Sequence, residues 1–297
     1  MLNLLQKLTD EKNILKSEPM SKHTSFKIGG NADYYITPSN IAELKNIILQ
    51  LKSSSVPYIV VGNGSNLLVS EKGIDGVVLS TEKLLNLSVD TNTIYADAGV
   101  KLSVLATEAT KNSLSGLEFA HGIPGTVGGA VFMNAGAYDG EMKNVITFVK
   151  ILRNDEIVTV PAEACAFGYR TSVFQKTGDI ILGAEFKLSC GNKDDIAAKV
   201  YDFASRRKLK QPLEFPSAGS AFKRPKGYFA GKLIEDAGLR GFSVGGAQVS
   251  EKHCGFIINK GGATATDVLN LIKHIKASVY VRFGVKLQEE IKFIGRR

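Results

Sequence analysis

Two runs of small residues in this chain have the composition to cradle a flat, anionic ligand. The first, Gly62-Asn63-Gly64-Ser65-Asn66-Leu67, follows the apolar run PYIVV at 57–61. Glycine has no Cβ, so a ligand can touch the main chain there, and the loop's N–H groups and small polar side chains suit phosphate oxygens. The same residues also fit a tight turn between two strands. The second run is Gly122-Ile123-Pro124-Gly125-Thr126-Val127-Gly128-Gly129-Ala130, with Asn134-Ala135-Gly136-Ala137 close behind. A turn opening a short helix near Val127 would aim unpaired N–H groups and a positive dipole end at a diphosphate, with Gly128 and Gly129 leaving room for a flat ring. The competing reading is close packing of helix on sheet through small residues. The Rossmann fingerprint is missing, because Leu67 stands where the third glycine belongs and no acidic residue follows at the required spacing; a Walker-type phosphate loop is missing too. Two glycine clusters, each after a strand, point to a large nucleotide cofactor.

Hydroxyl and charged candidates lie further on. Ser217 and Ser220 occur in PSAGSAFKRP, Arg170 in FGYRTS, and Glu289 and Glu290 in LQEEIKFI. Pattern alone reads the serines as loop hydroxyls bonding nearby backbone and the arginine as half of a surface ion pair. In a strand over 287–294, alternation places Leu287, Glu289, Ile291 and Phe293 on one face and Gln288, Glu290 and Lys292 on the other. Glu289, among apolar neighbours, is then the more perturbed carboxylate and Glu290 the solvated one. Basic residues gather at Arg206, Arg207, Lys208 and Lys210, and again at Lys223, Arg224 and Lys226, too briefly for a nucleic-acid-binding tail. The formal net charge of +8 favours anionic partners without specifying them.

These residues need a scaffold, and the chain carries signals for one. The leading MLNLLQKLTDEKNILK reads as an amphipathic helix, not a signal peptide, because charges run through its apolar pattern. Residues 33–37 look extended, 40–54 helical and 57–61 a buried strand; Ile41, Leu44, Ile47, Ile48 and Leu51 carry the helical period, with Asn40 as N-cap. Between 145 and 188 the runs VITFVKIL, EIVTVP and DIILGAEFKL suggest a mainly β layer. A helix rich in Lys and Arg is expected at about 194–209, then an irregular stretch through KQPLEFPSAGSAFKRPKGYF. Val268, Leu271, Ile272, Ile275 and Val279 form one helical stripe, started by Thr264 with Asp267 in capping-box spacing. The composition changes near Gly191, where a domain boundary is expected.

With 297 residues the chain has room for about two domains, and its 22% charged and 44% hydrophobic residues argue against disorder, collagen or a coiled coil. No run approaches the roughly 18 uninterrupted apolar residues of a membrane span. Cys165, Cys190 and Cys254 are odd in number and far apart, so neither a disulfide framework nor a metal site is indicated, and reduced thiols in a cytoplasmic setting are expected.

Several motifs in one order carry a resemblance. HTSFKIGG at 23–30, VGNGSNLLV, GIPGTVGGAVFMNAGAYDGE, FGYRTSVF, PSAGSAFKRP and the closing LQEEIKFIG are similar to those of the UDP-N-acetylenolpyruvoylglucosamine reductases over nearly the whole length. These are the flavoenzymes that complete UDP-N-acetylmuramate in bacterial peptidoglycan synthesis. The resemblance implies an α+β fold: an N-terminal helix over 1–20, an FAD-binding unit of the vanillyl-alcohol oxidase (PCMH) type with subdomains at about 21–85 and 86–191, and a C-terminal α+β substrate domain over 192–297. It implies non-covalent FAD held by Gly62, Asn63, Gly64, Ser65, Asn66 and Leu67, by Gly122, Ile123, Pro124, Gly125, Gly128, Gly129 and Ala130, and by Asn134, Ala135, Gly136 and Ala137. NADPH is implied as co-substrate and UDP-N-acetylenolpyruvoylglucosamine as substrate, with no nucleic-acid partner and no membrane insertion. Ser220 resembles the family's proton donor to the enolic carbon, and Arg170 the arginine that stabilises the developing enolate. Glu290 matches the second glutamate of the closing LExE pattern, while Gln288 replaces the first. Lys210, Lys223 and Arg224 become candidates for the substrate's diphosphate and carboxylate, with His253 and Asn259 in the same cleft. The segment 174–180 is short, as in the branch of the family without a tyrosine-bearing lid insertion. The competing readings are another FAD oxidoreductase of this fold, acting on a small alcohol or hydroxy acid, and a non-catalytic nucleotide-binding protein.

Overall fold

The structure, a computed structural model of the chain, describes residues 5–296. It forms two compact units, each assembled from separate stretches of sequence. The first comprises the chain up to Leu15, Tyr34–Asn63 and Val77–Arg207; the second comprises Lys16–Asp33, Gly64–Gly76 and the chain from Lys208 onward.

In the first unit, the helix Ile41–Ser53 starts where the Asn40 side chain accepts the Glu43 N–H at 2.9 Å, while the Glu43 carboxylate accepts the Ser39 N–H at 3.1 Å. These bonds satisfy donors that a helix start leaves unpaired. The helix buries Leu44, Ile47, Ile48 and Leu51 in a core with Ile36, Val77, Leu79, Leu152 and Leu182. Tyr58–Val61 pairs in parallel with the strand Ile74–Ser80, Tyr58 opposite Val77 and Val61 opposite Ser80. A second, antiparallel sheet runs Glu156–Pro161, Ile146–Arg153, Ile180–Lys187, Thr93–Asp97, Leu87–Asp90. Its inward residues Ile94, Ala96, Val149, Ile151, Ala184 and Phe186 share a separate core with Leu102 and Leu105 of the helix Leu102–Lys111 and with Val127 and Val131 of the helix Val127–Met133.

In the second unit, an antiparallel sheet is ordered Ser217–Ser220, Phe256–Asn259, Ala247–Val249, Ser243–Val244. The helix Ala265–Phe283 begins with a full capping box: Thr264 Oγ1 accepts the Asp267 N–H at 3.0 Å and the Asp267 carboxylate accepts the Thr264 N–H at 2.9 Å. Its stripe of Val268, Leu271, Ile272, Ile275 and Val279 is buried with Phe26, Ile28, Leu68, Ile257 and Leu287. The last strand, Lys292–Ile294, runs parallel to Leu67–Val69. Among the described residues no helix is long and apolar enough to cross a membrane.

The structure departs from the sequence reading in several places. Residues 1–4 of the expected leading helix lie outside the described residues, and the chain then turns through the 3-10 helix Glu11–Asn13 into the strand Ile14–Pro19. Asn13 is the local cause: its buried amide donates to the Thr9 and Ser39 hydroxyls, each at 3.1 Å, and so competes with helical bonding. The chain also does not divide at Gly191, since Phe26, Ile28 and Leu68 belong to the same core as the C-terminal residues. The stretch after Lys210 is not wholly irregular, because Ser217–Ser220 forms a strand with a shift of register, Gly219 taking φ +77°. The closing strand is shorter than expected. Gln288 O accepts the Lys223 N–H at 2.8 Å and Ala221 O accepts the Glu290 N–H at 2.9 Å, which leaves only Lys292–Ile294 for the parallel pairing.

Candidate active site

Gly62 and Asn63, which open the first glycine-rich loop, meet the second loop in the first unit. Asn63 Nδ2 donates to the Pro124 carbonyl at 2.8 Å, and a Cβ on Gly62 would stand 2.5 Å from Thr126 Oγ1. Thr126 is buried, and its hydroxyl has no hydrogen-bond partner among the described residues. A buried polar atom left this way calls for a ligand or ordered water. Gly129 is exposed, and a side chain there would have only Thr126 Oγ1 nearby, at 3.8 Å. Gly122 lies against Arg207, whose Cδ would be 3.1 Å from an added Cβ. Burial pushes the Arg207 guanidinium below its ordinary value, with Tyr138 opposing. A backbone without side chains, an orphaned hydroxyl and a desolvated cation fit the diphosphate end of FAD. Thr126 and Arg207 escaped the sequence reading, although Thr126 is the one hydroxyl inside the second glycine run and Arg207 belongs to the first basic cluster.

Gly128 also meets a packing requirement. A Cβ there would collide with that of Ala98 at 2.9 Å, and its N–H donates to Ala98 O at 2.9 Å, so helix packing accounts for it. In the second unit Gly64 sits at φ +62° with the His23 carbonyl 2.1 Å from an added Cβ, a position that only glycine fits.

Arg170 occupies the tip of a tight turn in the first unit, closed by reciprocal backbone bonds between Gly168 and Thr171 at 3.0 and 3.2 Å. Its φ of +54° is uncommon for a side chain with a Cβ and is held by its surroundings. The guanidinium donates to the Gly136 carbonyl at 2.9 Å and lies 5.1 Å from the Tyr169 ring centroid. Ser172 Oγ and Gln175 Nε2 both donate to Phe132 O, at 2.8 and 2.9 Å, fastening the turn to the end of the helix Val127–Met133. Asn134, fully buried, caps that helix at φ +42°. Its amide donates to Gly168 O at 3.0 Å and Glu141 Oε2 at 2.9 Å and accepts the Lys143 N–H at 2.9 Å. The Asn134 side chain thus holds the arginine turn.

Ser220 is exposed at the end of its strand in the second unit. Because Ala221 O accepts the Glu290 N–H, serine and glutamate ride on paired segments. Asn66 grips the same segment: its side-chain amide donates to Glu290 O at 3.2 Å and its main-chain carbonyl accepts the Lys292 N–H at 2.9 Å. Lys292 is driven below its ordinary value by burial first and by Lys223 second, with Glu290 opposing. Glu289 points to other business. Burial raises its pKa, but the Lys276 ammonium at 2.7 Å and a backbone hydrogen bond together outweigh burial and leave it lowered.

The expected substrate ligands divide. Asn259 is buried, donating to Phe26 O at 3.2 Å and accepting the Gly261 and Ala263 N–H groups at 2.9 and 3.2 Å, so its amide shapes a loop. His253 Nδ1 accepts the Gly255 N–H at 3.0 Å; burial, aided by Arg240 and Lys210, lowers its pKa and keeps the imidazole neutral at pH 7. Lys210 and Arg224 are exposed, and the Arg224 guanidinium lies 4.0 Å from the Phe229 ring centroid.

Comparison with known proteins gives one answer. The family model described as FAD binding domain matches residues 32–160, and that described as UDP-N-acetylenolpyruvoylglucosamine reductase, C-terminal domain, matches residues 211–294. The UDP-N-acetylenolpyruvoylglucosamine reductase of Caldanaerobacter subterraneus subsp. tengcongensis is 50% identical, covering 100% of this chain and 99% of its own. That of Clostridium botulinum (strain 657 / Type Ba4) is 52% identical over 95% of this chain and 93% of its own. Among solved structures, the reductase (MurB) from Thermus caldophilus has a TM-score of 0.80 at 35% identity, covering 94% of this chain and 97% of that one. An alkyldihydroxyacetonephosphate synthase, 15% identical with a TM-score of 0.50 over 64% of this chain and 40% of its own, shares the fold alone. The cofactor is FAD, and the chain belongs to the UDP-N-acetylenolpyruvoylglucosamine reductase family.

Proposed function

We propose that this chain reduces UDP-N-acetylenolpyruvoylglucosamine to UDP-N-acetylmuramate with NADPH, in the cytoplasm. Saturating the enolpyruvyl C=C bond takes a hydride at one carbon and a proton at the other. FAD, when bound, supplies the hydride that NADPH has delivered to it. Gly62, Gly122, Gly129, Thr126 and Arg207 hold the cofactor's diphosphate and adjoining groups. Ser220 gives its hydroxyl proton to the carbon beside the substrate carboxylate. A free hydroxyl is a poor acid, and the cations Lys223 and Lys292 near its segment favour the alkoxide that remains. Glu290 orients the proton relay that restores the hydroxyl. Arg170 presents a planar, permanently charged fork to the enolate as charge develops on it. Lys210, Lys223 and Arg224 draw in the anionic sugar nucleotide.

The observation that carries this reading is the pairing of the Ser220 strand with the Glu290 segment, with Lys292 as an electrostatic neighbour of both that glutamate and Lys223. Replacing Ser220 by Ala tests it, because flavin reduction by NADPH needs no protein acid whereas the second half-reaction does. Stopped-flow absorbance should show normal bleaching by NADPH and reoxidation by the enolpyruvyl substrate slowed by at least roughly 100-fold, the usual contribution of a positioned acid. Slowed bleaching with normal reoxidation would assign Ser220 to the nicotinamide step instead.

A further inference from the structure

In the second unit the end of the first glycine-rich loop runs straight into a strand. Leu67 N–H donates to Gly64 O at 3.4 Å to close a turn, and Leu67–Val69 then pairs in parallel with Lys292–Ile294, Leu67 opposite Lys292. Asn66 stands at that junction and holds the partner segment twice. Its main-chain carbonyl takes the Lys292 N–H at 2.9 Å, a bond that any residue could supply there. Its side-chain amide reaches further back along the segment and donates to Glu290 O at 3.2 Å, which takes a side chain with a donor.

The Glu290 main chain is thereby fixed on both sides of its Cα. Its N–H donates to Ala221 O at 2.9 Å and its carbonyl accepts from Asn66, so two different segments hold the two peptide groups that flank the residue. Peptide groups are planar, and fixing both leaves φ and ψ little freedom; the direction of the side chain follows from them. Ala221 directly follows Ser220, and the neighbouring residues Phe222 and Glu289 face each other in an antiparallel bridge. Serine strand, glutamate and Asn66 therefore lie along one row of hydrogen bonds.

We propose that Asn66 is a positioning residue for the reaction: through the Glu290 carbonyl it aims the Glu290 carboxylate at the Ser220 relay, and its side chain serves that task rather than the flavin. The inference rests on the reading of Glu290 as part of the proton relay and goes beyond it by naming what holds the glutamate. The residue type suits the task. An amide donates without titrating, so its hold persists while the relay takes up and releases protons. A charged donor would instead crowd Lys292, which already feels the Lys223 ammonium.

Asn66→Ala removes the donor, and Asn66→Asp replaces it by an acceptor at almost constant shape; both keep the main-chain bond to Lys292. In stopped-flow absorbance, flavin reduction by NADPH should keep its wild-type rate. Reoxidation by UDP-N-acetylenolpyruvoylglucosamine should slow by about 10- to 100-fold, as small misplacements of reacting groups do. Asn66→Ala combined with Glu290→Gln should be no slower than Glu290→Gln alone, because aiming a carboxylate that is absent gains nothing. Two readouts need no turnover. Titration of the apoproteins with FAD should give the wild-type affinity, and hydrogen exchange should be faster at the Glu290 amide and unchanged in the strand Phe256–Asn259. Weaker FAD binding with normal reoxidation of the bound flavin overturns the proposal by giving the side chain to the cofactor. Equal slowing of both half-reactions, additive losses in the double variant or unchanged exchange at Glu290 also overturns it. If Glu290→Gln itself reoxidises normally, the relay reading fails and the positioning role with it; if Glu290→Gln is slow and Asn66→Ala is not, the positioning role alone fails.

Discussion

Thr126 Oγ1 is buried without a partner among the described residues, and such a hydroxyl costs roughly 1–3 kcal/mol in the absence of a ligand. Replacing Thr126 by Val removes the polar atom at nearly constant shape, so the FAD-free protein should melt at the same or a higher temperature. FAD affinity should fall, by about 10-fold for one lost hydrogen bond, and titration of the apoprotein with FAD measures it. If the variant melts lower and binds FAD normally, the hydroxyl has a structural task instead. Glu289 and Glu290 show how far residue patterns reach. Alternation puts Glu289 on one face with Leu287 and Ile291; both of these are buried, yet the segment 287–291 is no regular strand and the Lys276 partner of Glu289 lies on a helix, where strand alternation could not find it. Glu290 looked merely solvated, and only the resemblance singled it out. Because the folded pKa of Glu289 is lowered, its ion pair stabilises the protein above the ordinary carboxylate range and that contribution vanishes as pH falls through the folded value. The pair is partly exposed, so the effect stays under about 1 kcal/mol. Glu289→Gln should lower the melting temperature slightly at pH 7, converge with the wild type in acid and keep turnover. Glu290→Gln should lose most turnover; the reverse pattern would move the alignment by one residue.

Elements whose start and stop signals are local were legible. Asn40 and Thr264 cap their helices as their spacing foretold, and the three apolar runs between 145 and 188 became Ile146–Arg153, Glu156–Pro161 and Ile180–Lys187. What alternation and capping could not show is how a short element serves its neighbour. The helix Val127–Met133 reads as part of a phosphate cradle, but its C-terminal end also fastens the arginine turn through Phe132 O and Asn134. Asn134 combines a left-handed backbone with bonds to Gly168, Glu141 and Lys143, so a smaller side chain leaves several buried groups unpaired. Asn134→Ala should destabilise the protein by about 2–4 kcal/mol, seen as a lower urea midpoint at unchanged slope. In the fraction that remains folded, loosening the turn that carries Arg170 should slow flavin reoxidation more than flavin reduction by NADPH. Equal slowing of both half-reactions would show that the damage is general and that Asn134 does not act through the arginine turn.

The division of the whole molecule was the part least visible in the sequence, because it depends on contacts between distant segments. A composition change near Gly191 suggested a C-terminal domain complete in itself, yet Ser25 Oγ donates to Ser217 O across 192 residues of chain and Asn259 Nδ2 to Phe26 O across 233. Local periodicity carries no trace of such pairings. Their energetic weight can be estimated. Phe26, Ile28 and Leu68 are almost fully buried in the second unit's core, and losing a side chain of this kind costs about 2–5 kcal/mol each. Together these losses rival the entire stability of a typical domain, about 5–15 kcal/mol. A fragment spanning 192–297 also lacks Leu67–Val69, the partner strand of Lys292–Ile294, and exposes that edge. It should therefore retain part of the helix Ala265–Phe283 by far-ultraviolet circular dichroism while showing no cooperative urea transition and no ordered near-ultraviolet signal from its tyrosines. The intact chain provides the control. A sharp transition in the fragment, with a slope proportionate to its size, would mean that the C-terminal segment folds alone and that the segments 16–33 and 64–76 only decorate it.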